Sequence, residues 1–567
     1  MKTDLYQNEL RSLRDGAREF ARKYPALAPH LSGSSTDPDV ERILQGTAYL
    51  SAGIQERLDT DFPDFAQSIL RVVAPDYLKE IPATTIVEFK PRNILNNPVT
   101  IKAASKVDSQ KVSGSSCRFR TCREVMVHPL TVSSCELTQQ ATHSSIELAM
   151  HNTSLANAEL KVSELPVHLS GDYVAASQIY WLLTKHVKQI TLIAGSQEVN
   201  LPVDSIKNMA WEDDFYLFES SKTGLNSFRH VQEYFINKFH FLFLNITNLD
   251  IDGPLPKAFR LRFSLDQTVH NLQLDKNSFR LFCSPAINLF DTDAEPMSLD
   301  HKTSDLHINP VRNTNRTLTI HSVTSLQGQS RRSSEKIQYQ SFSLAAKEAG
   351  QNPVYELIQH YTGHTDQENI LRISYPPGMD IPSREILTAR LQCSNGRNTA
   401  QLKVGEVNVN TPDIPDLVSV SNVSTISEYI APITDGRTLW KLITHLTVNY
   451  LPVADMNNLK TLLSLYNPTD QTDTKEHAAN RKRIESLQSM QVTPTEKLLR
   501  GYLVRGRHIA MDVDGSGFAS SGDLYLFGEL MFYLLDQFTD LNSFLTLSLT
   551  NVNNGETMQW QSKSVKS

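Results

Sequence analysis

The residues with the clearest chemical pattern lie near the C-terminus, between Asp512 and Asp523. Asp512, Asp514 and Ser516 stand at positions one, three and five of a twelve-residue stretch, Gly517 at six and Asp523 at twelve. This is the ligand spacing of a calcium-binding EF-hand loop. Against a calcium site, Asp is shorter than the usual Glu at position twelve, and the preceding residues have a strand pattern where a helix is required. We favour a Gly- and Ser-rich loop before a helix, with a calcium-dependent β-domain binding module as the alternative.

Cysteine and histidine side chains form a second possible metal site, because Cys117, Cys122, His128, Cys135 and His143 lie in one segment. A structural zinc site needs two closely spaced ligand pairs, and the Cys117 and Cys122 pair has no matching partner. Free cysteine in a strand behaves as a small apolar side chain. The sequence therefore predicts neither a metal site nor a cofactor.

Catalytic motifs are missing from the sequence. It contains no nucleophile elbow, no Gly-rich phosphate loop and no His-Glu-x-x-His run. Adjacent acids such as Asp213 and Asp214 stand beside turn-forming residues, which is typical of solvated loops. We therefore predict no catalytic residues and a protein that is not an enzyme.

Length and composition indicate a multidomain globular protein. A chain of 567 residues is too long for one hydrophobic core, and 40% hydrophobic with 21% charged residues is an ordinary composition for a folded protein. The formal net charge of -7 and the absence of a sustained basic stripe argue against nucleic-acid binding. The most apolar segments are shorter than the roughly 20 residues that span a bilayer, so we expect no membrane insertion. Five scattered cysteines and a polar N-terminus predict a cytoplasmic protein.

The N-terminal region, residues 1–82, has a helical pattern. Asp37 and Pro38 form a helix start, and apolar residues then recur at spacings of three and four, Ile43, Thr47 and Ala48 among them. We expect this helix to end near Asp61-Phe62-Pro63 and a second helix to follow to Val73. Their apolar stripes must be buried against a partner or against the rest of the chain.

The remaining sequence predicts an α+β protein with a β-rich, sandwich- or barrel-like middle. Short alternating and β-branched runs separated by turns favour a β-rich domain with inserted helices at 83–270 and a second β-rich domain at 271–430. Residues 431–567 are predicted as a mixed α/β domain. Within it, the polar segment 470–483 is predicted to be a loop and residues 524–538 an amphipathic helix.

Several blocks of the sequence resemble the TssF (VasA/ImpG) family, whose members are baseplate subunits of the bacterial type VI secretion system. The blocks are Phe20–Leu31 with Asp37–Arg42, Gln232–Phe235 with the aromatic residues that follow it, and Ile287–Phe290 with Ala294–Met297. Cys393-Ser394-Asn395 lies where the family has a similar triplet, but Gly396–Asn398 then departs from the family pattern.

The resemblance implies a structural role in the cytoplasmic baseplate wedge. It implies two TssF copies assembled with one TssG, contacts with TssK, TssE and the VgrG spike, and a part in sheath assembly and contraction. The baseplate of this family is docked to the membrane complex. From the residues themselves, we predict that the N-terminal helices bind a partner through the aromatic side chains of Tyr24, Phe62 and Tyr77. Packing of the same helices within the chain is the competing interpretation.

Overall fold

The computed structural model describes the larger part of the chain. It covers residues 6–7, 10–11, 13–15, 38–73, 75–112, 114–140, 143–154, 160–212, 214–218, 228–249, 255–302, 305–311, 318–330, 336–342, 352–362, 366–379, 381, 384–433, 438–440, 442–443, 455–467, 475–499, 502–539 and 543–562. These residues define an α+β, β-rich, multidomain protein, which confirms the predicted fold class.

The chain folds as two compact units. The N-terminal unit comprises residues 1–78 and 432–448, and the main unit comprises residues 79–431 and 449–567. Each unit is therefore built from two separate stretches of sequence. The finer division into regions 1–82, 83–270, 271–430 and 431–567 stays a prediction.

One long helix dominates the N-terminal unit. Helix α1 spans Pro38–Val73 and is followed by a 3-10 turn at Pro75–Leu78. The prediction of two helices separated at Asp61-Phe62-Pro63 was wrong, because the helix runs through Pro63 without interruption. An interior proline removes one backbone hydrogen bond and crowds the carbonyl group four residues earlier, at a cost of about 3 kcal/mol. The burial of Ala66 and Leu70 beyond Pro63 stabilises the continued helix.

The helices of the main unit lie between its strands in the chain and in its C-terminal part. Their bounds are α2 Tyr173–Lys185, α3 Arg229–Ile236, α4 Met456–Leu465, α5 Lys475–Glu485 and α6 Ser521–Gln537. Helix α6 confirms the helix expected at 524–538, but the expectation that it is amphipathic was wrong, because the consecutive residues Leu524–Phe527 are all buried and α6 has no exposed polar face along this stretch. The loop predicted at 470–483 was wrong over its second half, where α5 lies. The buried residues of α5 are the polar His477, Asn480 and Arg483 together with Ile484 in its last turn, so the helix has no continuous apolar stripe.

The strands of the main unit range from two residues in β24 to 13 residues in β26. In chain order they are β1 Thr84–Pro91, β2 Val99–Ile101, β3 Lys106–Val112, β4 Ser115–Thr121, β5 Val125–Val127, β6 Leu130–Gln139, β7 Ser144–Asn152, β8 Leu165–Leu169, β9 Val187–Ala194, β10 Gln197–Leu201, β11 Ile206–Asn208, β12 Phe243–Ile246, β13 Ala258–Leu265, β14 Phe279–Leu281, β15 Cys283–Ile287, β16 Phe290–Asp293, β17 Met297–Leu299, β18 Asp305–His307, β19 Thr319–Ser330, β20 Lys336–Ser341, β21 Val354–Thr362, β22 Asp366–Ser374, β23 Glu385–Ser394, β24 Val409–Asn410, β25 Val418–Asn422, β26 Leu487–Leu499, β27 Tyr502–Val513, β28 Phe544–Asn551 and β29 Thr557–Gln561.

These strands form several mostly antiparallel sheets. The larger sheets have the strand orders β24-β3-β4-β15-β1-β25, β10-β9-β13-β7-β6 and β16-β23-β19-β20-β21-β22-β18, with β17 also paired to β23. Smaller ones are β11-β12-β8-β14, the β2-β5 pair and β26-β27-β28-β29. Strand β23 shows why these segments are strands: Leu387, Ala389, Leu391 and Cys393 are buried, and the residues between them face outward. This period of two places one apolar face on a core shared with β16 and β19.

Helix α6 packs so closely on its neighbours that two of its positions accept only glycine. A Cβ atom at Gly522 would lie 2.2 Å from the backbone oxygen of Ser177 in α2. A Cβ atom at Gly528 would lie 2.2 Å from the Trp560 ring in β29. Helix α6 is thus clamped between α2 on one side and the C-terminal sheet on the other.

We expect Gly522→Ala to lower the free energy of unfolding by about 1–3 kcal/mol, because the added methyl group meets backbone that cannot move away as a side chain can. Urea unfolding followed by tryptophan fluorescence measures the change. The neighbouring variant Ser521→Ala, on the same helix, is the control and should change stability by less than about 0.5 kcal/mol. Equal stabilities of the two variants would show that α2 and α6 do not approach this closely.

Candidate protein–protein interface

Helix α1 carries apolar side chains on two opposite faces. Ala48, Ala52, Ala66 and Leu70 are buried, and at about 100° per residue they fall on one side of the helix. Ile43, Leu50 and Phe65 lie on the other side and are 68%, 69% and 58% exposed. We call these three residues the outer face of α1. A surface helix with a single partner needs only one apolar stripe, so the outer face is available to a second one.

The buried face of α1 has its partner within the N-terminal unit. Ala66 and Leu70 form a cluster with Leu439, Leu442 and Ile443, which belong to the described helical residues 438–440 and 442–443. Ile69, Tyr77, Leu78 and Ile433 are partly buried against this cluster. The N-terminal unit therefore has a small core of its own, made from both of its sequence stretches.

The three residues predicted as partner anchors have different locations. Tyr77 packs on the core of the N-terminal unit, so at least part of its ring serves packing within the chain. Phe62 belongs to α1, and Tyr24 lies outside the described residues. Their roles in partner binding stay predictions. Sequence reasoning missed the outer face because it assigned Ile43, Thr47 and Ala48 to one stripe, whereas Ala48 is buried and the other two are exposed.

The residues with calcium-loop spacing, which we kept only as an alternative metal site, are engaged in hydrogen bonds with protein groups. Asp512 lies in strand β27 and accepts from Ser489 Oγ at 2.6 Å. Asp514 Oδ1 accepts from the Ser516 backbone N–H at 2.9 Å and from Asn553 Nδ2 at 2.8 Å. Residues Gly515–Gly517 form a 3-10 turn directly before α6. Among the residues that the structure describes, no three His, Cys, Asp or Glu side chains are arranged to hold a metal ion.

Asp523, at position twelve of that loop, is the centre of a buried polar network. Its Oδ2 accepts from Arg483 Nε at 3.1 Å and Nη2 at 2.9 Å, and from the Ala519 N–H at 3.0 Å. Its Oδ1 accepts from the Tyr173 hydroxyl at 2.7 Å. Burial alone would raise the pKa of Asp523, but the Arg483 charge and these donors hold the pKa below its ordinary value.

The network extends through α5 to the loop beyond α4. Arg483 Nη1 donates to Asn480 Oδ1 at 3.1 Å, and Asn480 Nδ2 donates to the Phe235 carbonyl at 3.0 Å and to Asn467 Oδ1 at 3.2 Å. The side chains of Arg483 and Asp523 are only 4% and 0% exposed. Helices α2, α3, α5 and α6 are thereby connected by polar contacts that exclude water.

We expect Asp523→Ala to lower the free energy of unfolding by about 3–5 kcal/mol, because it leaves the Arg483 charge buried without its carboxylate. Glu496→Ala is the matched control, since Glu496 faces Arg505 at 3.7 Å in an exposed pair. That variant should cost at most about 1 kcal/mol. The measurement is chemical denaturation of both variants, and similar losses in the two would contradict a structural role for the buried pair.

A second buried carboxyl group belongs to Glu80, which precedes strand β1. It contacts Ser394 of the Cys393-Ser394-Asn395 triplet that resembles the family. Ser394 Oγ donates to Glu80 Oε1 at 2.6 Å and the Tyr429 hydroxyl donates to Oε2 at 2.7 Å. His321 Nδ1 lies 4.0 Å from Oε1. Burial raises the pKa of Glu80 to about 7, although both hydrogen bonds oppose the shift.

This raised pKa has a consequence for stability. Between pH 4.5 and about 7 the folded protein holds a proton on Glu80 that the unfolded chain has lost, so the stability contribution of Glu80 falls as pH rises through this window. We expect Glu80→Gln to remove a dependence on the order of 3 kcal/mol. Melting curves of both proteins from pH 4.5 to 7.5 measure it, and the exposed Glu198→Gln should keep the original profile. Parallel profiles for Glu80→Gln and the unmodified chain would exclude this linkage.

The cysteine residues weighed as a second possible metal site are buried or partly buried thiols. Cys117 and Cys135 are buried, and burial raises the pKa of these thiols to about 11 and 12. Among the described residues, Cys117 belongs to no group of side chains that could hold a metal ion. Its backbone N–H donates to Ser109 Oγ at 2.9 Å. High thiol pKa values favour the protonated, unreactive form.

Polar side chains in the sequence blocks that resemble the family form buried hydrogen bonds in this fold. Glu233 is fully buried, and its Oε1 accepts from the backbone N–H groups of Leu217 and Phe218 at 2.8 and 3.2 Å. Asn288 donates to Asn395 Oδ1 at 2.9 Å, and the Asn395 N–H donates back to Asn288 Oδ1 at 2.7 Å. These side chains hydrogen-bond to backbone groups of the loops and so hold the loops in position.

The fold matches two solved chains over nearly their whole length. One belongs to the type VI secretion system TssK-TssF-TssG baseplate subcomplex, with a TM-score of 0.78, 23% identity, and coverage of 93% of this chain and 99% of the other. The other belongs to the baseplate complex of the type VI secretion system, with a TM-score of 0.64, 20% identity and full coverage of both chains. The chain thus has the fold of a protein found in secretion-system baseplates.

Sequence comparison defines the family. The model of the family described as type VI secretion system, TssF, matches residues 2–566, so this chain belongs to the TssF family. A curated relative, type VI secretion system component TssF1 of Pseudomonas aeruginosa, is 25% identical over 619 aligned positions, which cover 99% of this chain and 98% of the relative. In the described part of the chain, no helix combines the length and apolar character needed to cross a bilayer.

Proposed function

We propose that this chain is a structural, non-enzymatic subunit of a type VI secretion baseplate wedge. In this proposal two copies assemble with one TssG and contact TssK, TssE and the VgrG spike. The assembled wedge sits in the cytoplasm, docked to the membrane complex, and supports assembly and contraction of the sheath. Family membership and the baseplate structures that contain chains of this fold support the proposal.

The outer face of α1 is the observation that carries the proposal. Ile43, Leu50 and Phe65 are exposed along one side of a 36-residue helix. Full burial of an apolar side chain of this size contributes about 1.5–3 kcal/mol, so three of them supply the energetic centre of a stable interface. A long helix with a second apolar face is suited to a helical bundle with other chains.

The main unit has features that suit a load-bearing role. The buried pair of Arg483 and Asp523 connects several helices, and breaking either charge leaves the other uncompensated. Such a network opposes gradual deformation of the unit. A rigid main unit can pass a displacement from one partner to another during sheath contraction.

The experiment is co-expression of the full chain with its TssG and TssK partners, followed by affinity purification and mass measurement of the complex. We expect Leu50→Asp to reduce recovery of TssG at least tenfold, because a carboxylate on the outer face must be desolvated on binding. Ile94→Asp is the matched control: Ile94 is 57% exposed but belongs to the main unit. It should leave recovery unchanged.

Phe62→Asp tests the anchor predicted from the sequence in the same assay. Loss of TssG with Phe62→Asp but not with Leu50→Asp would place the interface elsewhere on α1. Full recovery of the complex with both variants would contradict the assignment of this helix to partner binding. A circular dichroism melt of each variant shows whether the fold is retained.

A further inference from the structure

The β26–β27 hairpin extends beyond the sheet to which it belongs. The two strands pair along their length from Leu487↔Val513 to Leu499↔Tyr502. Strand β28 pairs with β27 only from Gly506↔Phe544 onward. We call the part beyond this point, residues 496–499 and 502–505, the hairpin arm. The arm is a two-stranded ribbon, which has little stability of its own in water unless another element packs on it.

One face of this sheet is covered by helix α6 near its base. Trp560 contacts α6 at Gly528, and its ring centroid lies 5.2 Å from that of Tyr525. The register pairs Trp560 with Leu547 and Leu547 with Ile509, so all three share this face. They are buried. The face under α6 is therefore an apolar, helix-binding surface.

The same face continues outward along the hairpin with apolar residues that α6 does not bury. Alternation places Val492 beside Ile509 on this face, and further out Leu498 lies opposite Leu503. These three side chains are 37%, 70% and 63% exposed. The apolar face that α6 covers thus continues onto the solvent-exposed part of the hairpin. A two-stranded ribbon is about 10 Å wide, which matches the width of one helix.

Positive charge accompanies the exposed apolar residues. Arg505 and Arg507 lie on the same face as Leu503 by alternation, and both are exposed. Glu496 faces Arg505 at 3.7 Å, but the two side chains are 53% and 89% exposed, so the pair neutralises the arginine weakly. Lys497 lies on the opposite face, where its Nζ donates to Gln561 Oε1 at 3.3 Å. A partner with carboxylates beside an apolar stripe complements this surface.

The edge strand β26 contains a feature that disfavours strand addition. Pro494 lacks a backbone N–H and interrupts the row of donors that an added strand would use. Prolines on edge strands are a common protection against pairing with another chain. A helix laid across the face needs no backbone donors from β26.

We propose that the hairpin arm, together with the adjoining residues Val492 and Arg507, binds an amphipathic helix of another protein. The apolar stripe of that helix contacts Val492, Leu498 and Leu503, and its acidic flank faces Arg505 and Arg507. This site lies in the main unit and is distinct from the outer face of α1. It does not depend on the baseplate role proposed above.

The test is site-specific photo-crosslinking of the full chain in its native cell, with p-benzoylphenylalanine at Leu498 and mass spectrometry of the crosslinked peptide. We expect a peptide from a different protein that has apolar residues at helical spacing and Asp or Glu on the flank. Crosslinker at the exposed Val203, elsewhere in the main unit, is the control and should not capture that peptide.

Charge reversal separates the proposal from non-specific contact. Arg505→Glu combined with Arg507→Glu should reduce the crosslink at least tenfold, whereas Lys497→Glu, on the opposite face, should retain it. All substituted residues are exposed, and a thermal melt verifies that folding is unchanged. The proposal is overturned by absence of a crosslink, by a crosslink to nucleic acid, to a second copy of this chain or to a strand segment, or by equal effects of the two charge variants.

Discussion

The buried ion pair between Arg483 and Asp523 is the constraint on which the helical part of the main unit depends. Asp523 accepts hydrogen bonds from Arg483, from Tyr173 in α2 and from the start of its own helix. A buried charge is tolerated only when its partners are in place, so the positions of α2, α5 and α6 are tied to one another. The close contact of Gly522 with the α2 backbone follows from the same arrangement.

The same constraint explains why a motif with calcium-loop spacing belongs to the framework of the protein. The acid at position twelve, Asp523, points into the interior, and Asp514 holds a 3-10 turn before α6. Asp514 thus caps the 3-10 turn and Ser520 caps the start of α6, roles for which short polar side chains are suited.

The N-terminal unit and the main unit present different kinds of surface. Helix α1 buries small side chains such as Ala48 and Ala52 on one face and leaves Ile43 and Leu50 exposed on the other. The hairpin arm of the main unit combines exposed leucines with arginines. An apolar face accompanied by arginines selects a partner with acidic groups, because charge complementarity contributes specificity more than affinity.

The sequence by itself determined the element types wherever the pattern was apolar and periodic: the helix α6, the β-rich middle, the α+β class and the family. It failed at α5, whose inward residues Asn480 and Arg483 are polar, and at Pro63, where packing overrides a local helix breaker. Periodicity reports local burial, whereas polar pairing depends on residues distant in the chain. Glu80 with Ser394 and Arg483 with Asp523 are such pairs, and only the tertiary structure decided that they meet. The exposed outer face of α1 was likewise settled by packing, since a sequence shows that a stripe is apolar but not which side of the helix is covered.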